Sequence, residues 1–543
     1  MFSLSLLAIS FTLLKVLGLL LLVPALYLCV WLVHMLYIAP RFDTLDNMPG
    51  PLGGKLETHL NDMMNPNITS KSHGKFIEKY GFSWRFNGFG SFDLRLLTLD
   101  PRALAYILNS PAYQKPVQTR RLLSTLLGKG IFAAEGDAHK RQRKVINPAF
   151  TAQSVRGVAP IFFDKAEKLC RKITAETTAG KEGQSFDMYH LLGRLAFDII
   201  GAAGFGWEFH ALDSESEEVY LAYRRMFGTM DAGPGPKLLL DLQFPWLPKI
   251  WADERNRIIS RSKKTIHTWG AQVIEDRKQI MASEKGTSQD KSILSVLLKA
   301  NMEESNNEQR LSDAELLDQL STFLFGGSDS VSIAIVWCLH LLSLHLTVQS
   351  SLREELASFR SMDADDQTSF LDSCPLLEYV VKESLRLAPP VHSTIRMATK
   401  DDLIPVSRPV TMRDGTLATH IPIKKGSYIH IPMEAFNLCK DIWGSDADEF
   451  KPERWTDLPP AARSHLGLAG LMTFSFGPHS CPGFRFALLE IKVVVAVLIT
   501  QFDFAPAETI KRFNAVVSRP AVVNDGQFDS NASLPLKVTS LTL

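Results

Sequence analysis

The sequence predicts a mainly α chain with small β-sheets, carried behind an N-terminal transmembrane helix. Three observations point there. Most segments repeat their apolar residues at helical spacing, as in AEKLCRKITAET and DQLSTFLFGG. Short pieces such as FDLRLLTLD and SYIHIP read as strands and supply only a small β portion. Residues 16–38, VLGLLLLVPALYLCVWLVHMLYI, contain no Asp, Glu, Lys or Arg.

At about 1.5 Å per residue, that run crosses a hydrocarbon core of roughly 30 Å. Trp31 and Tyr37 sit towards one end, where interfacial aromatics belong. A cleaved signal peptide fits less well, because the run is long and is followed by APRF, not by a small-residue cleavage site. Residues 2–14 are also apolar and Lys15 divides them from the rest, so a single tilted span is expected. Residues 39–54, APRFDTLDNMPGPLGG, are rich in Pro and Gly and read as a stiff hinge between the anchor, residues 1–38, and a globule, residues 55–543. No second linker of that kind and no internal repeat follows.

Composition narrows the function classes. A formal charge of +1 over 543 residues excludes a strongly basic nucleic-acid binder. An apolar content of 45% suits a large core. The six cysteines, Cys29, Cys170, Cys338, Cys374, Cys439 and Cys481, form no CxxC pair, so neither a zinc site nor a disulfide framework is indicated, and a reducing compartment follows. There is no dinucleotide fingerprint, Walker loop or HExxH. Two sequons, at Asn67 and Asn531, matter only in a lumen.

Ser312 and Glu315 form a capping box that opens a long helix, and the polar residues 299–310 before it read as a solvated loop. In FPWLPKIW, Phe244, Trp246, Ile250 and Trp251 are either ordinary core or a face turned to lipid.

Four motifs carry the chemistry. The first is FSFGPHSCPGFRFA, residues 474–487. Cys481 there is either a buried thiol, which behaves as a small hydrophobe, or an axial metal ligand held as thiolate by the amides and dipole of the following helix. Gly477 and Gly483 permit positive φ and close approach to a flat ligand, and Phe474 can shield the sulfur. The second is KESLRLAPP, in which Glu383 and Arg386 share one helix face at i, i+3, with FKPERW downstream supplying Arg454. The third is FLFGGSDSVSIAIVW, where Gly326 and Gly327 weaken the helix and Asp329–Ser330 places an acid beside an alcohol. The fourth is EGDAHKRQRKVINPAF, with His139, Arg143 and a basic face of Lys140, Arg141 and Lys144 that is either solvated or a docking surface for an acidic partner.

In this order the four motifs resemble those of the cytochrome P450 family, with wording similar to fungal microsomal members. The resemblance implies the single-domain P450 fold. It implies haem (heme, iron protoporphyrin IX) with Cys481 as axial thiolate and metal ligand, in a loop built on Phe474, Gly477 and Gly483. His479 stands where the family usually has an Arg that pairs with a haem propionate; a histidine still donates a hydrogen bond. Arg396, His139 and Arg143 occupy further propionate positions. Glu383, Arg386 and Arg454 form a structural triad. Asp329 and Ser330 match the oxygen-activation motif, with serine in place of the usual threonine.

The implied reaction is monooxygenation of a lipophilic small molecule. Electrons come from a separate NADPH-cytochrome P450 reductase. The enzyme sits in the endoplasmic reticulum membrane lipid with a cytosolic catalytic domain. Residues 118–127, 323–328 and 391–394 are the implied pocket lining, and a terpenoid of fungal secondary metabolism is the expected substrate. A sterol or fatty-acid hydroxylase, a haem-thiolate isomerase or dehydratase without a reductase, and a non-catalytic haem-binding protein are the alternatives.

Overall fold

A computed structural model describes residues 22–541 apart from 24, 179–183, 215–216, 231–234, 284–290, 305, 464–466, 468–469, 515–516 and 525–526. The first part of the expected span, residues 1–21, lies outside the described residues, as do the side chain of Asn67 and its sequon. Residues 25–38 are helical and expose Leu26, Tyr27, Val30 and Trp31. The candidate membrane helix runs Ala25–Phe42, and none of its described residues is buried by the rest of the chain.

The Pro/Gly-rich segment after it is docked on the globule. Leu45 and Met48 are fully buried. Arg85 N donates to Pro49 O and Arg413 N to Asn47 O, both at 2.8 Å. Asp46 pairs with Arg413 at 3.3 Å and with Arg85 at 3.7 Å.

The elements that position the site are, in chain order, α1 (Pro66–Tyr80), β1 (Ser83–Asn87), β2 (Leu94–Thr98), β3 (Tyr113–Gln114), α2 (Val117–Leu127), α3 (Gly136–Ile146), α4 (Ala152–Thr178), α5 (Met188–Ile199), α6 (Asp313–Leu344), α7 (Pro375–Leu387), β4 (Thr394–Ala398), β5 (Asp402–Thr411), β6 (Leu417–Ile423), β7 (Tyr428–Ile431), α8 (Phe484–Ile499), β8 (Ile510–Asn514) and β9 (Ser518–Asn524). Helices dominate. A five-stranded sheet runs β1-β2-β7-β4-β3, parallel only between β2 and β7. β5 and β6 form a separate antiparallel pair, and β8 and β9 open a three-stranded sheet near the C-terminus.

α6 is the central element. Its capping box is made: Glu315 N donates to Ser312 Oγ at 3.3 Å and Ser312 N to Glu315 Oε2 at 3.0 Å. Its 32 residues span about 48 Å. It is long and apolar enough to cross a membrane, yet it is buried in protein, packed against α5 and α8. The polar run before it is only partly a loop, because the helix Ile293–Glu303 extends into it. Asn301 explains the extension: its buried side chain exchanges hydrogen bonds with Leu311, accepting at 2.6 Å and donating at 3.0 Å.

α7 carries the buried ion network. Glu383 and Arg386 are both fully buried, joined at 2.7 and 2.9 Å. Arg454 reaches Glu383 at 3.3 Å and Asp446 at 2.6 Å, and Trp455 Nε1 donates to Glu383 at 3.0 Å. Phe244, Trp246, Ile250 and Trp251 are all exposed, which excludes the core reading of FPWLPKIW.

Glu490 in α8 is the opposite of that network. It is fully buried and neither carboxyl oxygen has a hydrogen-bond partner among the described residues. Burial pushes its pKa well above the usual carboxylate range.

Two outcomes are expected. Arg386→Ala removes the bidentate partner of buried Glu383, leaving it Arg454 at 3.3 Å and the Trp455 and Lys451 N–H donors, and lowers unfolding free energy by about 3–5 kcal/mol in a denaturant titration. The folded state holds a proton on Glu490 that the unfolded chain releases above pH 4.5, so this residue makes stability fall as pH rises towards neutrality. Glu490→Gln flattens that fall; melting temperatures of both proteins across the same pH series check it.

Candidate functional site

The loop before α8 is a folded turn. Cys481 N donates to Phe474 O at 2.9 Å and Ser480 N to Gly477 O at 3.0 Å. Gly477 has φ +72°, and a Cβ there would meet Leu108 O at 2.8 Å, so only glycine fits. At Gly483 a Cβ would touch the Phe150 ring at 3.4 Å. The Phe474 ring lies 6.2 Å from that of Phe484.

Cys481 thus precedes the first turn of α8, with the Gly483 amide turned towards its sulfur. Burial nevertheless pushes its thiol pKa up, against the opposing pull of the Gly483 amide and the Arg143 guanidinium. In the metal-free chain burial outweighs these two influences, and a bound cation would favour the thiolate that the sequence predicts.

α3 abuts this loop. Arg143 Nη1 donates to Ser480 O at 2.6 Å. His139 is buried and stacks on His479, with ring centroids 3.9 Å apart. Burial and then the neighbouring His479 push the His139 pKa down to about 4. The carboxylate that His479 meets is the protein's own: its Nε2 lies 3.2 Å from Glu135 Oε2. Lys115 donates to Glu135 Oε1 from Nζ at 2.7 Å and from its backbone N at 3.1 Å. Burial pushes the Glu135 pKa up, but the hydrogen bonds and charges of His479 and Lys115 outweigh it and hold it well below the usual carboxylate range.

Arg396, on β4, is buried and donates only to Thr394 Oγ1 at 2.9 Å and Ile395 O at 3.0 Å. It forms no ion pair among the described residues. The two glycines of α6 divide. A Cβ at Gly327 would collide with Ile200 Cδ1 at 2.5 Å, so that position serves helix packing, whereas one at Gly326 would make ordinary contact with Phe132 at 3.5 Å. Ser330 Oγ donates to Gly326 O at 2.7 Å. Asp329 is buried and pairs with Arg519 Nη2 of β9 at 3.4 Å. Phe150 links helix to loop, because its ring also meets Phe323 of α6 edge-on at 5.6 Å.

Of the implied lining, residues 323–325 are buried, with the Phe325 ring against Phe132 and Phe227 and that of Phe323 against Phe150, while Val391 is exposed. The basic face is not free. Lys140 pairs with Asp137 at 3.3 Å, Arg141 with Glu315, and Lys144 with Glu304 at 2.6 Å. Sequence reasoning missed Glu135, Lys115 and Arg519. Glu135 lies four residues before His139, within the fourth motif, but nothing local marks its partners; Arg519 is brought to Asp329 from 190 positions away.

The comparisons with known proteins agree with one another. The family model described as Cytochrome P450 matches residues 98–521. Cytochrome P450 monooxygenase 205 of Postia placenta is 36% identical over 95% of this chain and 96% of its own length. Cytochrome P450 monooxygenase 128 of the same fungus is 35% identical, over 93% and 94%. Ganoderic acid synthetase CYP5150L8 of Ganoderma lucidum is 32% identical, over 94% and 96%. The chain belongs to the cytochrome P450 family and is a monooxygenase whose cofactor is haem.

Proposed function

We propose that Cys481 is the axial ligand of the haem and that the chain oxidises a lipophilic small molecule with O2 and electrons from an NADPH-dependent reductase. The observation that carries this is a half-buried sulfur in a glycine-shaped turn at the head of α8, with the Gly483 amide and Arg143 acting on it. The other residues fit the group. Haem brings two propionates, and Arg396 is a buried cation that forms no ion pair among the described residues. An isolated buried charge is costly unless a ligand pairs it. Arg143 and His139 bring α3 to the same loop.

Bound haem supplies dioxygen binding and activation at iron. The chain supplies the rest. The Gly483 amide donates towards the sulfur and tunes its basicity. Asp329, held by Arg519, is the acid that relays protons, and Ser330 is the adjacent hydroxyl. Because Ser330 now donates to Gly326 O, it must rotate about χ1 to donate elsewhere, and serine lacks the methyl group that stiffens threonine. The buried aromatics around Phe325 exclude water from the reaction chamber.

Residues 1–38 act as a single-pass anchor in the endoplasmic reticulum membrane, with residues 55–543 as the catalytic unit in the cytosol. The exposed Phe244, Trp246, Ile250 and Trp251 meet the lipid and lie beside the route for an apolar substrate. A terpenoid is the proposed substrate class, supported by the relative named as a ganoderic acid synthetase.

Reduced protein under carbon monoxide is expected to give a Soret band at about 450 nm, as thiolate ligation requires, and Cys481→Ser is expected to abolish it. A haem-loaded, folded wild type without that band refutes the assignment. In turnover with a reductase, Asp329→Asn is expected to lower product formation by about 10²-fold, the low end for a positioned proton donor. Ser330→Ala is expected to raise peroxide released per electron consumed; unchanged coupling in both variants removes the proton-relay role.

A further inference from the structure

Glu135 is an acid where the site otherwise gathers cations. Lys115, Arg120, Arg143 and Arg396 are all close by: Arg120 donates to Ala133 O at 3.2 Å, Arg143 to Ser480 O, and Arg396 lies on β4 within the field of Glu135. Glu135 is also the N-cap residue of α3, yet its side chain makes no capping hydrogen bond. The usual reason for a carboxylate at that position is therefore missing. Instead the side chain, only 4% exposed, turns inward to Lys115 and to His479, two residues before Cys481.

We propose that Glu135 is a positioning residue for the haem edge: its carboxylate clamps the His479 ring against His139 and places one fixed negative charge beside the ligand loop, lowering the reduction potential of the haem iron. The inference rests on the assignment of Cys481 as ligand. The clamp has two sides. The Glu135 oxygen holds His479 Nε2, and the His139 ring covers the His479 face at 3.9 Å. A charge in this buried setting acts through an effective dielectric well below that of water and is weakly screened by salt. A negative charge near the iron disfavours the gain of an electron. Lys115 moderates the effect, because its ammonium sits 2.7 Å from the same carboxylate. The arrangement also separates roles within the cation set: His479 is engaged by a protein carboxylate, whereas Arg396 keeps no carboxylate partner among the described residues and remains available to a propionate.

The test is potentiometric titration of the haem-loaded, full-length protein in detergent, for wild type, Glu135→Gln and Lys115→Gln, each checked for the carbon monoxide band at about 450 nm. Glutamine keeps the shape of Glu135: its one oxygen still accepts from Lys115, and its amide NH2 donates to His479 Nε2 when the proton of that ring sits on Nδ1, so Glu135→Gln removes the charge and retains both contacts. It is expected to shift the ferric/ferrous equilibrium at least threefold towards ferrous, about 28 mV upward for a one-electron couple. Lys115→Gln is expected to shift it in the opposite direction. A purely structural role predicts no such pair of opposed shifts. Unchanged potentials, or shifts of the same sign, overturn the proposal. If Glu135→Gln alone loses the band, the Lys115→Gln shift decides: a fall supports the proposal and no fall overturns it. Absence of the band in wild type instead overturns the ligand assignment itself.

Discussion

One carboxylate and two guanidinium groups, Glu383, Arg386 and Arg454, lie out of contact with water, and the Cys481 loop hangs from them. Burying such charges costs several kcal/mol per ion unless nearly every donor and acceptor is matched. Here the matching is complete for Arg386. Its five N–H donors reach Glu383 twice and the carbonyls of Asn437, Ala447 and Glu449. Those carbonyls belong to three points on the segment after β7, so one side chain gathers a stretch of irregular backbone into a fixed shape. The order passes on. Asn437 accepts from Met472 N at 3.0 Å and donates to Thr473 Oγ1, which in turn donates to Leu385 O on α7. Thr473 is the residue before Phe474, whose carbonyl holds the amide of Cys481. The sulfur is positioned by a chain of hydrogen bonds that starts in a buried ion pair.

Arg396 shows what the same residue type does when the matching is withheld. It is as deeply buried as the triad but finds only a hydroxyl and a carbonyl. A fold selected for stability alone has no use for it, and the unpaired charge is a standing destabilisation of the haem-free chain. Glu490 is a second local conflict, a buried acid that burial keeps neutral. The proposed haem propionate would pair Arg396; nothing in the structure explains Glu490.

The surface divides by the partners that charged side chains find inside the molecule. Lys144 and Arg141 are tied to Glu304 and Glu315, which brackets α3 against the start of α6, and of the three cations Lys140 and Lys144 stay exposed. Exposed apolar residues are found on the helical region Leu239–Trp251, with Leu239, Leu240, Phe244, Trp246, Ile250 and Trp251 uncovered. The chain after the membrane helix is pinned by Asp46, Asn47 and Pro49 to β1 and to the β5–β6 turn. The N-terminal apolar helix accordingly leaves the globule at a set place.

Several features were legible in the residues alone because their causes are local. The capping box needs only Ser312 and Glu315, three positions apart. The Glu383–Arg386 pair needs only one helical turn, and the turn at Gly477 only a residue free of Cβ. The apolar run before residue 39 is uncharged whatever the fold. What tertiary structure decided are the contacts across long separations and the net effect of burial. Composition cannot say that Gly327 faces Ile200, that Arg519 reaches Asp329, or that the carboxylate beside His479 belongs to Glu135. Nor can it say that burial outweighs the amide and helix dipole at Cys481, since desolvation depends on how completely neighbours close around a group, and those neighbours come from everywhere in the chain.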